Sequence, residues 1–174
     1  TRLQGDWSSD VCSSDLYDEG GSRSINPKYE GNMVIPGGPQ FSMALELLSY
    51  FHGDARTLTY TVYTYGRGFA DAHRRFAQAF LALPAIPGKV VAQQSADVKV
   101  RYYETPEGTY VGVAHKGYAA KSYTIQLPGN WPASVKVQDQ VTGQSVPFKR
   151  TADGLTVECN APPMNLDAWL ITGK

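Results

Sequence analysis

Tyr63, Tyr65 and Arg67 lie on alternate positions of one short stretch, TVYTYGRG. They are the residue types that would hold a sugar ring: aromatic faces stack on pyranose rings and a guanidinium group bonds hydroxyls. The plainer alternative, a core strand followed by a surface arginine, accounts for the same residues and is the one the pattern favours. Other chemistry-bearing side chains are sparser. His73, Arg74 and Arg75 form a small basic patch that reads as the solvated face of a helix rather than an anion site. His52 and His115 have no partner at metal-ligand spacing, so each reads as structural or exposed, and no metal site is expected. Gly37 and Gly38 lack the Lys and Ser/Thr of a phosphate loop. Asp18 and Glu19 lack the full pattern of a calcium loop. No cofactor is implied.

Residues Thr1 to Leu16, TRLQGDWSSDVCSSDL, resemble the translation of a short-read DNA-sequencing adapter, with a variable index across Leu3, Gln4 and part of Gly5. Such segments leave the fold argument before it begins. The expectation is that native sequence starts near Tyr17 and belongs to the C-terminal part of a longer protein. Setting aside 16 of the 174 residues leaves 158; without Arg2, Asp6, Asp10 and Asp15 the balance is 15 basic to 13 acidic side chains. A charge near +2 gives no electrostatic footprint for nucleic acid. With Cys12 gone only Cys159 remains, which excludes an intrachain disulfide and a cysteine-based metal site. No apolar run reaches the roughly 18 residues a membrane span needs.

The elements that must position these residues change character near Pro84. Asn32 to Ile35 is a short apolar run ending in Pro36, Gly37, Gly38 and Pro39, a buried strand and a sharp turn. In QFSMALELLSYF the residues Phe41, Ala44, Leu45, Leu48 and Phe51 fall at helical spacing, closed by Gly53 and Asp54. Leu58 to Tyr65 is β-branched and aromatic, followed by Gly66 and Gly68. Phe69, Ala72, Phe76, Phe80 and Leu83 form one stripe of a second helix, which Pro84 and Pro87 stop. Strand, helix, strand, helix argues for parallel strands with helical crossovers, the last units of a larger α/β domain.

From Lys89 onward the pattern is one of short strands separated by turn residues. Asp97 to Glu104 and Tyr110 to His115 flank Pro106, Glu107 and Gly108, the strongest hairpin signal in the chain. Lys121 to Leu127, Ser134 to Asp139, Leu155 to Cys159 and Ala168 to Thr172 complete six or seven strands, the spacing of a small antiparallel β-sandwich. The fold class expected is thus an α+β fragment: residues 17–86 as the last two βα units of a (β/α)8 barrel, and residues 87–174 as the sandwich.

RYYETPEGTYVGVAHKGYAAKSYTIQLPG, then VQDQVTGQSV with its turn at Asp139, Thr142 and Gly143, then LTVECNAPPMNLDAWLI, resembles the all-β C-terminal domain that follows the catalytic barrel in many bacterial glycoside hydrolases. The resemblance implies that TYTVYTYGRGFADAHRRFAQAFLALPAI is the barrel's final strand, helix and exit linker. It also implies a carbohydrate substrate bound by the missing barrel, and a parent protein outside the cytoplasm. Chemistry in such barrels sits on the loops after the strands, here Pro36 to Gln40 and Tyr65 to Phe69. That makes Gln40, Tyr63, Tyr65 and Arg67 the candidate substrate-binding residues. A carboxylate pair is required and neither loop offers one. Ile35 and Pro36 occupy the family's nucleophile position, while Glu19 and Glu30 precede the strand. No catalytic residue is therefore assigned, and the fragment is expected to be inactive alone.

Two readings of another kind stand beside this one. Tyr102, Tyr103, Tyr110, Tyr118, Tyr123, Trp131 and Trp169 would form an aromatic platform if exposed, making the sandwich a carbohydrate-binding module. Alternation puts Tyr102 and Tyr103 on opposite faces, so only one is expected in the core. The plainer reading makes most of these rings core filler and the sandwich a structural cap, docked through the apolar linker Ala85 to Val91.

Overall fold

The computed structural model describes residues 43–57 and 70–173. The strands expected at residues 32–35 and 58–65 fall outside the described residues. Two helices and eight strands are described: α1 (Ala44–Gly53), α2 (Ala70–Ala82), β1 (Lys89–Val91), β2 (Val98–Glu104), β3 (Thr109–His115), β4 (Lys121–Pro128), β5 (Lys136–Asp139), β6 (Lys149–Thr151), β7 (Gly154–Ala161) and β8 (Asn165–Thr172). They make an α+β fold in which every described strand pairing is antiparallel. One sheet runs β1-β2-β3-β8-β5 and the other β4-β7-β6.

The hairpin expected at Pro106–Gly108 joins β2 to β3, with Glu104 opposite Thr109. Thr105 and Gly108 exchange both backbone hydrogen bonds across it, at 2.9 and 3.2 Å. Asp139 closes β5: its Oδ1 accepts the backbone N–H groups of Val141 and Thr142, both at 2.8 Å. This is the short-range turn chemistry that aspartate supplies. β1 and β6 are absent from the sequence expectation. Each is three residues long, and β6, Lys-Arg-Thr, is wholly exposed, so neither carries an alternation to detect.

Side chains alternate across each strand, and both faces of the five-stranded sheet are covered. Val98, Val100, Val111, Val113, Trp169 and Ile171 face the three-stranded sheet and meet Ile125, Leu127, Leu155 and Val157 in one core, a sandwich-like arrangement. Tyr103, Ala114, Leu166 and Ala168 face the other way and meet Leu47, Tyr50, Phe51, Phe76, Ala79 and Leu83 of the helices. Tyr102 and Tyr103 are consequently both buried, at 9% and 2% exposure, which corrects the expectation that only one would be. The second face is not solvent but helix.

The α1 stripe is also corrected. Met43, Leu47, Tyr50 and Phe51 are buried, whereas Ala44, Leu45 and Leu48 are only half-buried. Gly112 of β3 explains the rotation, because any Cβ there would collide with the Tyr50 hydroxyl. The missing side chain lets a tyrosine seat against the sheet. Of the expected α2 stripe Phe76 and Leu83 are buried, Ala72 and Phe80 are half-buried and Phe69 lies outside the described residues; Ala79, which was not in that stripe, is fully buried. Phe80 stacks on Phe76 at 6.1 Å and meets Tyr50 edge-on at 6.4 Å.

Candidate functional site

Gln40, Tyr63, Tyr65 and Arg67 lie outside the described residues. Within those described, three groupings of polar side chains have geometry to weigh.

The first ties the helices to the sheet. α1 ends on Asp54, whose left-handed backbone (φ 52°, ψ 47°) turns the chain out of the helix. Its carboxylate is a hub: Oδ2 accepts the Gly88 backbone N–H at 3.0 Å, Oδ1 accepts the Tyr103 hydroxyl at 3.2 Å, and Arg101 Nε lies 3.2 Å from Oδ1 as an ion pair. Because Tyr103 spends its proton on Asp54, Tyr50 is the donor in the 2.9 Å bond between the two phenols. Arg101 is 3% exposed; its Nη2 donates to the Phe51 carbonyl at 3.2 Å and its guanidinium lies 5.1 Å from the Tyr50 ring centre. Burial pushes the Tyr50 phenol up to about 12 and raises Tyr103 further, Tyr50 itself adding to the latter. Both phenols stay neutral hydrogen-bonding groups at any physiological pH.

The second grouping is a polar layer at one end of the inter-sheet core. Apart from Thr109 at the start of β3, the inward positions of β3, β4, β7 and β8 are apolar until that end, where they become His115, Tyr123, Cys159, Asn165 and Asp167. Register brings them together: His115 lies opposite Asn165, and Tyr123 opposite Cys159. His115, 1% exposed, bonds the Pro162 carbonyl through Nδ1 at 2.9 Å and the Tyr123 hydroxyl through Nε2. A carbonyl only accepts, so Nδ1 carries a hydrogen and Nε2 can take the phenolic proton. Cys159 Sγ is 4.0 Å from Asp167 Oδ2.

By residue type, cysteine, histidine and aspartate form a nucleophile set. The geometry denies it. Burial, helped by Asp167, pushes the Cys159 thiol up to about 12, so it is protonated at neutral pH. The imidazole nitrogen that would act as base is engaged by Tyr123. Asp167 is itself raised, first by burial and then by Asp139, against the opposing Asn165 amide and Arg75. This layer is built to hold, not to react. Among the described residues no group of three or more His, Cys, Asp or Glu is placed to hold a metal ion.

The third grouping is on the surface beside that layer. Ala120, Lys121, Ser122, Asn160, Ala161 and Pro162 line an open depression of about 460 Å³ where β4 begins and β7 ends. Of the seven rings named as a platform, Tyr102, Tyr103, Tyr123 and Trp169 are buried, Tyr110 and Trp131 are half-buried, and Tyr118 is 70% exposed. The broad platform is therefore corrected to a single outstanding ring, because both sheet faces are consumed by packing. Arg74 pairs with Asp71 at 2.8 Å on the exposed side of α2 and Arg75 is exposed, whereas His73 is half-buried, its Nε2 enclosed, so the expected solvated basic patch is reduced to the two arginines. The Arg101–Asp54 hub and the polar layer went unnoticed in the sequence. The layer carried a signal, polar types at inward positions clustered at one end of four strands.

No family model and no curated protein matches the chain. Among solved structures it is similar to a putative α-galactosidase from Bacteroides fragilis, at a TM-score of 0.33 and 14% identity over 48% of this chain and 17% of that one. It is also similar to an α-amylase from Geobacillus thermoleovorans solved with acarbose, at a TM-score of 0.48 and 10% identity over 79% of this chain and 34% of the other. These structural neighbours are glycoside hydrolases of low identity, and the chain spans about a sixth and a third of their respective lengths. Among the described residues no helix is long and apolar enough to cross a membrane.

Proposed function

We propose that this chain is the C-terminal part of a glycoside hydrolase. In this reading residues 1–16 are adapter-derived, residues 17–86 close a catalytic (β/α)8 barrel, and residues 87–174 are a β-sandwich cap. The observation that carries it is the second buried face of the five-stranded sheet. A sandwich made to stand alone would turn that face to water and alternate polar residues along it. Here Gly112, Ala114 and Ala168 are small where α1 and α2 press on them, and Arg101 and Tyr103 are anchored on the helix end at Asp54. The sheet is shaped to dock on helices, as a cap on a barrel's last helices would be.

Hydrolysis belongs to a carboxylate pair upstream, with the substrate carbohydrate bound by the barrel and the parent working outside the cytoplasm. Gln40, Tyr63, Tyr65 and Arg67 then line the barrel's mouth. Burial holds the Cys159 thiol of the polar layer protonated, which supports placing hydrolysis elsewhere in the parent. The alternative, a carbohydrate-binding module resting on a broad aromatic platform, is disfavoured by the burial of four of its seven rings.

Long-read sequencing of the source DNA across the codon for Tyr17 tests the proposal. The open frame should continue into further strand-helix units with two Asp or Glu residues at strand ends. A start codon shortly upstream of Tyr17 would overturn it.

A further inference from the structure

We infer that the Gln93 side chain guards the edge of β4 and keeps two copies of this chain from joining their three-stranded sheets edge to edge. Gln93 lies in the connection from β1 to β2, two strands of the other sheet. Its amide reaches across to β4, where Nε2 donates to the Gln126 carbonyl at 2.9 Å and Oε1 accepts the Gln126 backbone N–H at 3.0 Å. Those are the two bonds that a neighbouring antiparallel strand makes with one residue. A single side chain thus stands in for a strand. Two residues further on, the Tyr102 hydroxyl donates to the Pro128 carbonyl at 3.2 Å and covers the end of the same edge. The connection that carries Gln93 is itself held, since the Ser95 carbonyl and hydroxyl accept the backbone N–H groups of Val98 and Asp97, each at 3.2 Å.

The edge needs a guard because β4 is long. Of the four strands that end the two sheets, β1 and β6 have three residues each. β5 is covered by the chain that follows it: the Asp139 N–H bonds the Gln144 carbonyl and the Val146 N–H bonds the Val137 carbonyl, both at 2.8 Å. β4 has eight residues. Because the Gln126 backbone points away from β7, alternation puts the N–H and C=O groups of Thr124 and Ser122 on the same open side. The side chains of Ser122, Thr124 and Gln126 are already tied to Asn160, Glu158 and Thr156 of β7. What the edge still offers is backbone, and an extended strand is what bonds to backbone. From Ser122 to Leu127 the strand carries no charge and no proline, the composition that lets copies of one segment pair. In a two-fold antiparallel pairing centred on Thr124, Thr124 meets its own copy, and Ser122 of each chain meets Gln126 of the other. Two of those three rungs pass through Gln126, so a guard on each chain closes both.

Analytical ultracentrifugation of the full chain over a concentration series tests the guard. Gln93→Ala and Gln93→Met should each tighten self-association at least about tenfold relative to the parent chain. The methionine keeps the length of the side chain without its amide, so it carries the test if circular dichroism shows that the alanine disturbs the fold. Adding Thr124→Lys should reverse the gain, because it sets two ammonium groups against each other at the centre of the pairing. Self-association no tighter than the parent's in the folded Gln93 variants overturns the guard. So does a gain that Thr124→Lys leaves in place, which would put the contact on another surface.

Discussion

The two faces of the five-stranded sheet are both buried and are built by different rules. Toward the three-stranded sheet, β2, β3 and β8 present Val100, Val111, Val113, Trp169 and Ile171, bulky apolar side chains whose partners need only match them in volume. Toward the helices they present Arg101, Tyr103, Gly112, Ala114 and Ala168, a mixture of long polar and very small residues. The first face is stabilised by area removed from water. The second depends on a few directional contacts that hold only when α1 ends where it does. A sheet can thus be generic on one side and specific on the other.

That contrast breaks most sharply at Asp54. Asp54→Ala leaves Arg101 buried without its counter-ion and Tyr103 without its acceptor, and should cost about 3–5 kcal/mol of stability, read as a fall in the urea midpoint. Adding Arg101→Met should recover much of that loss, since an apolar side chain of similar length has no charge to strand. If the double variant is no better than Asp54→Ala, the directional account of this face is wrong. Leu127→Ala probes the other face. Leu127 is fully buried, and its truncation should cost about 2–5 kcal/mol. No second substitution of polar character should rescue it, because what is lost is volume; a fluorescence-detected melt with Leu127→Met as the tolerated control checks this.

The same contrast decides what could be read before the structure. β4 and β7 are legible because their inward residues alternate against an exposed or half-buried face, and β2 and β3 because the turn residues Pro106, Glu107 and Gly108 separate two apolar runs. The α1 stripe was misplaced because hydrophobicity alone ranks Leu45 and Leu48 above Tyr50. Only Gly112, 62 residues away, reveals that a tyrosine fits there. Nothing local to Arg101 announces that a helix end 47 residues earlier in the chain will pair with it. The turn at Asp139 was legible because its chemistry is confined to four residues. The polar layer lay between these extremes: His115, Tyr123, Cys159 and Asp167 sit at positions where alternation demanded apolar side chains, and their agreement across four strands was the evidence. Gln40, Tyr63, Tyr65 and Arg67 fall outside the described residues and remain part of the proposal.

The polar layer gives the smallest effect, and one that low pH silences. Asp167 carries a raised pKa because burial, reinforced by Asp139, disfavours its charge more than Asn165 and Arg75 favour it. For an acid raised in the folded state, the unfolded chain ionises first as pH climbs. Folding is then penalised from the ordinary carboxylate range upward, fully so once pH passes the raised value. Asp167→Asn removes the charge and keeps the shape. It should raise the thermal midpoint at pH 7 by a fraction of what Leu127→Ala removes, and the advantage should shrink as pH falls toward 4. Melting both proteins across that window checks it. An advantage that is constant with pH would mean that packing, not ionisation, separates them, and the inter-sheet face would then be governed by volume from end to end.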